Sequence, residues 1–398
     1  MQPTDPNTSG SNPAKPFRIL FPVFLYFMAA GVATVMLGPL LPSLIQRWHI
    51  QDAQAGTLFT ASFAGQFCGA WFATRNLRVS VLYGSAITAA GCAAMAWASF
   101  GLAHIALFCV GLGLGAGLTA GNVMAGTAFP SQRTRLIALL NVAWGFGAIA
   151  CPVLIRLSSS GGIRLFFFAT AFCLTITALI AITIPHTETS AAVVFRDVQT
   201  QTVSRMPLPP LPLFIFGAAI FLYVGVENAF GGWLPSYATR TNPSLHASSI
   251  SIYFWIAELT GRILVTALMT LLGEATLYRL CLALLILAQI LLCATTHISA
   301  TGVIMLTVLA ALSLAPLYPL IMSFLLARTG NHAGLGALLA TASFGGATLP
   351  WLTGVLSTHF HGLRAGLLVP ATGAILLLFL SAILTSKPSP PANLASSN

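Results

Sequence analysis

Charge is what this sequence has least of. Only 6% of its 398 residues are charged, and seven are acidic: Asp5, Asp52, Glu188, Asp197, Glu227, Glu258 and Glu274. A soluble domain carries about 25% charged residues, so a water-exposed globular surface is excluded. No CxxC occurs. The seven cysteines (68, 92, 109, 151, 173, 281 and 293) all fall within apolar runs, which leaves neither a disulfide frame nor a zinc site. HExxH, GxSxG and paired-Asp motifs are absent, which argues against an enzyme; no cofactor or metal is expected. The one H-x-H pair, His359 and His361, reads as interfacial histidines in a short loop. Basic residues are also few, and they stand singly between apolar runs. The net charge of +10 is therefore a topology signal and not a nucleic-acid surface. Met1 to Pro16 is polar and shows no secretory signal pattern, because the first apolar run is too long for one.

What is present is hydrocarbon: 57% hydrophobic residues and a mean hydropathy of +0.89. Twelve apolar segments can be marked, at about 19–46, 53–73, 79–100, 104–128, 135–156, 163–185, 212–238, 248–271, 276–296, 301–327, 333–357 and 363–385. A helix needs about 20 residues to cross a bilayer core, and the runs are too long and unalternating for a transmembrane barrel. The expectation is an all-α membrane protein with twelve transmembrane helices in two six-helix bundles. Residues 1–18 read as a cytoplasmic tail, 19–185 as the first bundle and 186–211 as a cytoplasmic inter-bundle loop rich in proline. Residues 212–385 read as the second bundle and 386–398 as a cytoplasmic tail. With the N-terminus inside, eleven basic residues collect on the cytoplasmic side and five on the other, with Arg262 within the membrane. That bias points to an inner (plasma) membrane protein with both termini cytoplasmic.

The halves echo each other. In segment five Leu139-Leu140 precedes Gly147 and Pro152; in segment eleven Leu338-Leu339 precedes Gly345 and Pro350. Repetition of this kind is expected of transporters built from two repeated bundles. Segment four reads GLGLGAGLTAGNVMAG. Gly113, Gly117 and Gly121 share one face and allow another helix to approach closely.

Only two acidic residues lie well inside apolar segments. Glu227, in FLYVGVENAFGGWLPSY, has no basic neighbour on its own helix and is read as a proton site or a neutral hydrogen-bond donor. Glu258 lies about 16 Å deep at 1.5 Å per residue. Trp255, Glu258 and Arg262 share a helix face. Two readings of Glu258 and Arg262 stand: a structural ion pair, or a titratable switch that gates. Substrate-binding candidates are Asn122, Asn141, Trp144, Glu227, Asn228 and Trp255, because amides and indoles suit a neutral polyhydroxylated ligand. Asn122 reads equally as an interhelical hydrogen bond.

Twelve helices in two halves with a long central loop resemble the major facilitator superfamily over nearly the full chain. The family's loop signature after helix two is poorly kept, since Gly69 is followed by AWFATRNLR without Asp; Gly261-Arg262, Gly273 and Arg279 look like its second-half copy. Tyr223, Val224, Gly225, Glu227 and Tyr237, the glycine run ending in Asn122, and LLNVAWGFGA at 139–148 resemble the fucose/glucose/galactose proton-symporter branch. The resemblance implies acidic residues in helices one and four, and this chain has none there, so any proton carrier must lie elsewhere or be absent. Drug-exporter signatures, an Arg in helix four and a Gly-Pro in helix five, are missing. The expectation is alternating-access uptake of a small neutral solute, most of all a hexose-like sugar, driven by protons. Its partners would be the solute, protons and the lipid bilayer, with no nucleic acid, and the protein would be a monomer. The competing readings are an exporter or facilitator of an amphipathic metabolite or drug, and a membrane receptor or scaffold that does not transport.

Overall fold

The computed structural model describes residues 14–73, 76–128, 132–184, 210–329 and 335–385, and no β-strand occurs among them. Each apolar segment becomes a helix, because a chain in hydrocarbon must satisfy its backbone internally. The helices are α1 (Ala14–Val35, continued as Leu37–Trp48), α2 (Asp52–Phe72), α3 (Leu77–Met95), α4 (Phe100–Ala128), α5 (Arg133–Leu157) and α6 (Gly162–Ala181). The second series is α7 (Pro210–Thr241), α8 (Ala247–Leu272), α9 (Glu274–Ala294), α10 (Ala300–Leu314, continued as Leu317–Thr329), α11 (Leu335–His359) and α12 (Leu363–Gly366, continued as Leu368–Leu384). The terminus side is the one where α1 begins and α12 ends; the far side carries the connections at 49–51, 242–246 and 360–362.

Some expected boundaries shift. Residues 14–18 already belong to α1 and 210–211 to α7, whereas 1–13, 186–209 and 386–398 of the expected tails and loop lie outside the described residues. Gly261-Arg262 lie within α8, as expected for helix eight. Gly273 does form the α8–α9 turn, at φ +72°.

Among the described residues, seven stretches qualify as spans by length and hydropathy alone and the bent α1 pair makes an eighth; one of the seven, 135–181, runs through both α5 and α6. Across the middle of the molecule α2 packs on α11, α5 on α8, and the second part of α1 on α7 and α8.

Within each half, glycines set the close approaches. A Cβ on Gly147 would overlap the Met28 carbonyl oxygen where α5 crosses α1. A Cβ on Gly345 would overlap the Phe221 carbonyl oxygen where α11 crosses α7. The sequence echo is thus the same helix crossing built twice. In α4, Gly113 meets Gly84 and Thr88 of α3, while Gly117 and Gly121 lie against Tyr26 and Phe27 of α1. A second stripe was not foreseen: Gly111 and Gly115 press on Ser62 and Gln66 of α2, whose own Gly65 and Gly69 press back on Phe108 and Leu112.

The first helix bends by 41° between its two parts. Pro39 cannot donate to the Val35 carbonyl, which removes a rung of the ladder at that point. The bend brings Gly38 against the carbonyl of Gly231 on α7.

Gly147→Ala and Gly345→Ala are each expected to cost about 1–3 kcal/mol through overpacking of backbone on backbone. Gly101→Ala, where nothing lies within 4 Å, should leave stability unchanged. Melting of the detergent-purified variants checks both statements.

Candidate functional site

The charges that sequence reasoning found at membrane depth meet in one place. From α8, Arg262 Nη2 donates to Glu258 Oε1, one turn earlier, and at 2.9 Å to Glu227 Oε1 on α7. Tyr223, one turn before Glu227, donates its hydroxyl to the same Oε1 at 2.8 Å. The Tyr223 ring packs on Tyr318 of α10 at 5.5 Å. The first half reaches in through Trp144 of α5, whose ring centroid lies 5.4 Å from the Arg262 guanidinium carbon. Trp144 meets Trp255 of α8 edge to face at 5.7 Å, and its Nε1 donates to Thr34 Oγ1 at 3.4 Å.

Exposure separates the two carboxylates. The Glu258 side chain is 1% exposed against 14% for Glu227 and 27% for Arg262. Glu258 Oε2 is buried without a hydrogen-bond partner. Glu227 borders a cavity formed where the α1 bend faces α2, α7 and α8. Thr34, Ser62, Gln66 and Asn228 supply its polar atoms, and Phe59, Phe63 and Trp255 supply aromatic wall. The free space is about 30 Å³, enough for two or three waters at roughly 10–15 Å³ each. A hexose-sized ligand enters only when the helices part.

A family model described as Major Facilitator Superfamily matches residues 23–335. The chain belongs to the major facilitator superfamily. Among curated relatives, this facilitator is 26% identical over 355 residues to the glucose/mannose transporter GlcP of Bacillus subtilis (strain 168), covering 83% of this chain and 86% of that one. It is 23% identical over 387 residues to bypass of stop codon protein 6 of Saccharomyces cerevisiae, covering 85% and 77%. Its fold is similar to that of a D-xylose–proton symporter, with TM-score 0.74 at 14% identity and 92% and 97% of the two chains covered. It is also similar to an inward-facing, occupied bacterial homolog of the human lysosomal transporter Spinster, with TM-score 0.73 at 15% identity and 94% and 98% covered. This facilitator is a multi-pass membrane transporter and not an enzyme.

The structure gathers some of the expected residues and not others. Glu227, Asn228 and Trp255 line the cavity; Trp144, Glu258 and Arg262 stand immediately behind. Glu227 has no basic neighbour on α7, yet Arg262 comes to it from α8, so the expected pair is a group of three. Asn141 lies apart: it is exposed and its Nδ2 turns back to the Ile137 carbonyl at 2.9 Å. Asn122 is outside the cavity lining, half-buried on α4, with a buried and unpartnered Oδ1. Thr34 and Ser62 were missed. Their signal was faint: one hydroxyl in an apolar helix, and a serine four residues before Gln66.

Arg262→Leu strands a fully buried carboxylate and is expected to cost about 3–5 kcal/mol. Glu227→Gln keeps an oxygen to accept from both Tyr223 and Arg262 and should cost less than half of that. Thermal melting of the two variants side by side decides the order.

Proposed function

We propose that this transporter takes up a small neutral solute, hexose-like in size and hydroxyl pattern, together with protons. The observation that carries the reading is one guanidinium shared by two carboxylates beside the central cavity. With both acids ionised the group holds one uncompensated negative charge; one bound proton makes it neutral. A low-dielectric site penalises the uncompensated state, so proton binding and helix rearrangement are linked. Glu227, at the cavity edge, takes the proton, and Glu258 with Arg262 gates. This places the carrier on helix seven and eight, in a chain without acidic residues in helices one and four.

Asn228, Gln66, Thr34 and Ser62 suit hydroxyl groups, and Trp255, Phe59 and Phe63 suit the apolar face of a sugar ring. The sugars in the names of the glucose/mannose transporter GlcP and of the D-xylose–proton symporter agree with that substrate class. In the same reading Asn122 and Asn141 contribute when the cavity widens. The helices of 19–185 and 212–385 move as two bundles around the site, in the inner (plasma) membrane, with both termini cytoplasmic and the protein a monomer.

Two measurements test this. In the purified protein, neutral hexoses should raise the melting temperature by mass action, with a shift that differs between pH 5.5 and 7.5 and is lost in Glu227→Gln. In proteoliposomes, Glu227→Gln should abolish accumulation driven by a proton gradient while solute exchange continues. Full gradient-driven accumulation in Glu227→Gln, or stabilisation only by lipophilic cations, sinks the proposal.

A further inference from the structure

The coupling group uses two of the seven acidic residues, and Asp52 is one of the other five. Asp52 opens α2 at the far side, and its carboxylate is gripped from the other half of the molecule. Arg240, in the last turn of α7, donates from Nη2 to Oδ1 and from Nη1 to Oδ2, both at 2.7 Å. Ser357 of α11 donates its hydroxyl to Oδ2 at 2.6 Å. The neighbouring Ala53 amide donates to Thr358 Oγ1 at 2.8 Å. The Asp52 side chain is 10% exposed and that of Arg240 is 43% exposed, so the carboxylate is enclosed while the guanidinium still meets solvent. A paired fork of this kind is the strong form of an ion pair.

The contact does not stop at the surface. Below Asp52, the α2 and α11 backbones touch at Gly56 and Trp351. Thr60 Oγ1 donates to the Ala347 carbonyl at 2.9 Å, and further along Phe67 packs on Phe344 at 5.1 Å. The seam therefore runs from the far side past the cavity, which α2 lines through Ser62 and Gln66. Every bond in it joins α2 of the first series to α7 or α11 of the second. A rivet that stabilised one bundle would lie within a series; this one crosses the plane that alternating access must open.

We infer that Asp52, Arg240 and Ser357 form a latch that holds the far side shut, and that breaking it is the step that admits solute from that side. The inference rests on the transporter fold alone and is independent of what the solute is or whether protons drive it. The three are positioning residues: they set the balance between the two access states and touch no solute. The short segment after α2, Ala73 to Arg78, offers no carboxylate for a matching pair on the terminus side. Among the described residues the inter-bundle ion pair lies on the far side, and a resting state closed to that side follows.

The test reads access and needs no known substrate. Ser62→Cys places a thiol in the cavity, ten residues beyond Asp52 and about 15 Å along the helix. An impermeant maleimide added from the far side labels it, with the reaction of the parent cysteines subtracted. Asp52→Asn and Arg240→Gln should each raise the labelling rate by about fivefold, as expected for a partly exposed ion pair. The double variant should label no faster than the faster single, because both remove the same interaction. Ser357→Ala removes one hydrogen bond and no charge; it should give a smaller rise and serves if either charge variant does not fold. Labelling at the parent rate in the folded variants overturns the latch. An additive rise in the double variant overturns the pairing of Asp52 with Arg240. Loss of pH-dependent sugar binding would leave this result untouched, so the two proposals fail separately.

Discussion

A bilayer interior offers no water to a polar atom, and most of this structure can be traced to that. Backbone groups must bond within their own helix, so the chain is helical wherever it is apolar. Helices in lipid gain nothing from hiding leucine from leucine-like tails. They associate through close packing and through polar groups that find partners. The glycines at the α1–α5 and α7–α11 crossings, and the interlocked stripes of α2 and α4, bring backbone onto backbone. The few charges are then forced together: Arg262 cannot stay in the middle of α8 without the two carboxylates that flank it.

The same constraint sorts the helices by role. α2, α8 and α11 carry polar side chains and meet helices of the other half across the plane between them. Their polar atoms face a contact that must open and close, where water enters in one state and protein closes in the other. At the centre of that plane lies the three-membered charge group beside a contracted cavity. At its far edge lies the fork of Arg240 on Asp52. A buried, nearly neutralised cluster and a half-exposed ion pair differ in what they cost to break, because water replaces the lost partner only in the second.

Much of the fold was legible. The twelve apolar runs and the Gly-Pro echo correspond to helices and to a helix crossing among the described residues, since a long apolar run is buried in lipid only as a helix. The site was legible in part. Glu227, Glu258 and Arg262 stood out because ionisable residues at depth are rare. Asn141 did not join them: spacing of three from Trp144 places it near one face but says nothing of how far the cavity extends toward it. Thr34 and Ser62 were hidden, since one hydroxyl carries little weight in an apolar helix. Asp52 and Arg240 did not stand out in the sequence, as each sits at a helix end where charge costs nothing notable.

What the sequence determined by itself was the set of groups that hydrocarbon will not tolerate alone, and the segments that must be helical to hold them. Which group answers which was decided by tertiary structure. Glu227 lies 35 residues from Arg262, and Asp52 lies 188 from Arg240. No periodicity within one helix carries information at that separation. Only the packing of one half on the other brings α8 against α7 and α2 against α7 and α11, and that packing depends on the shapes of all the helices at once.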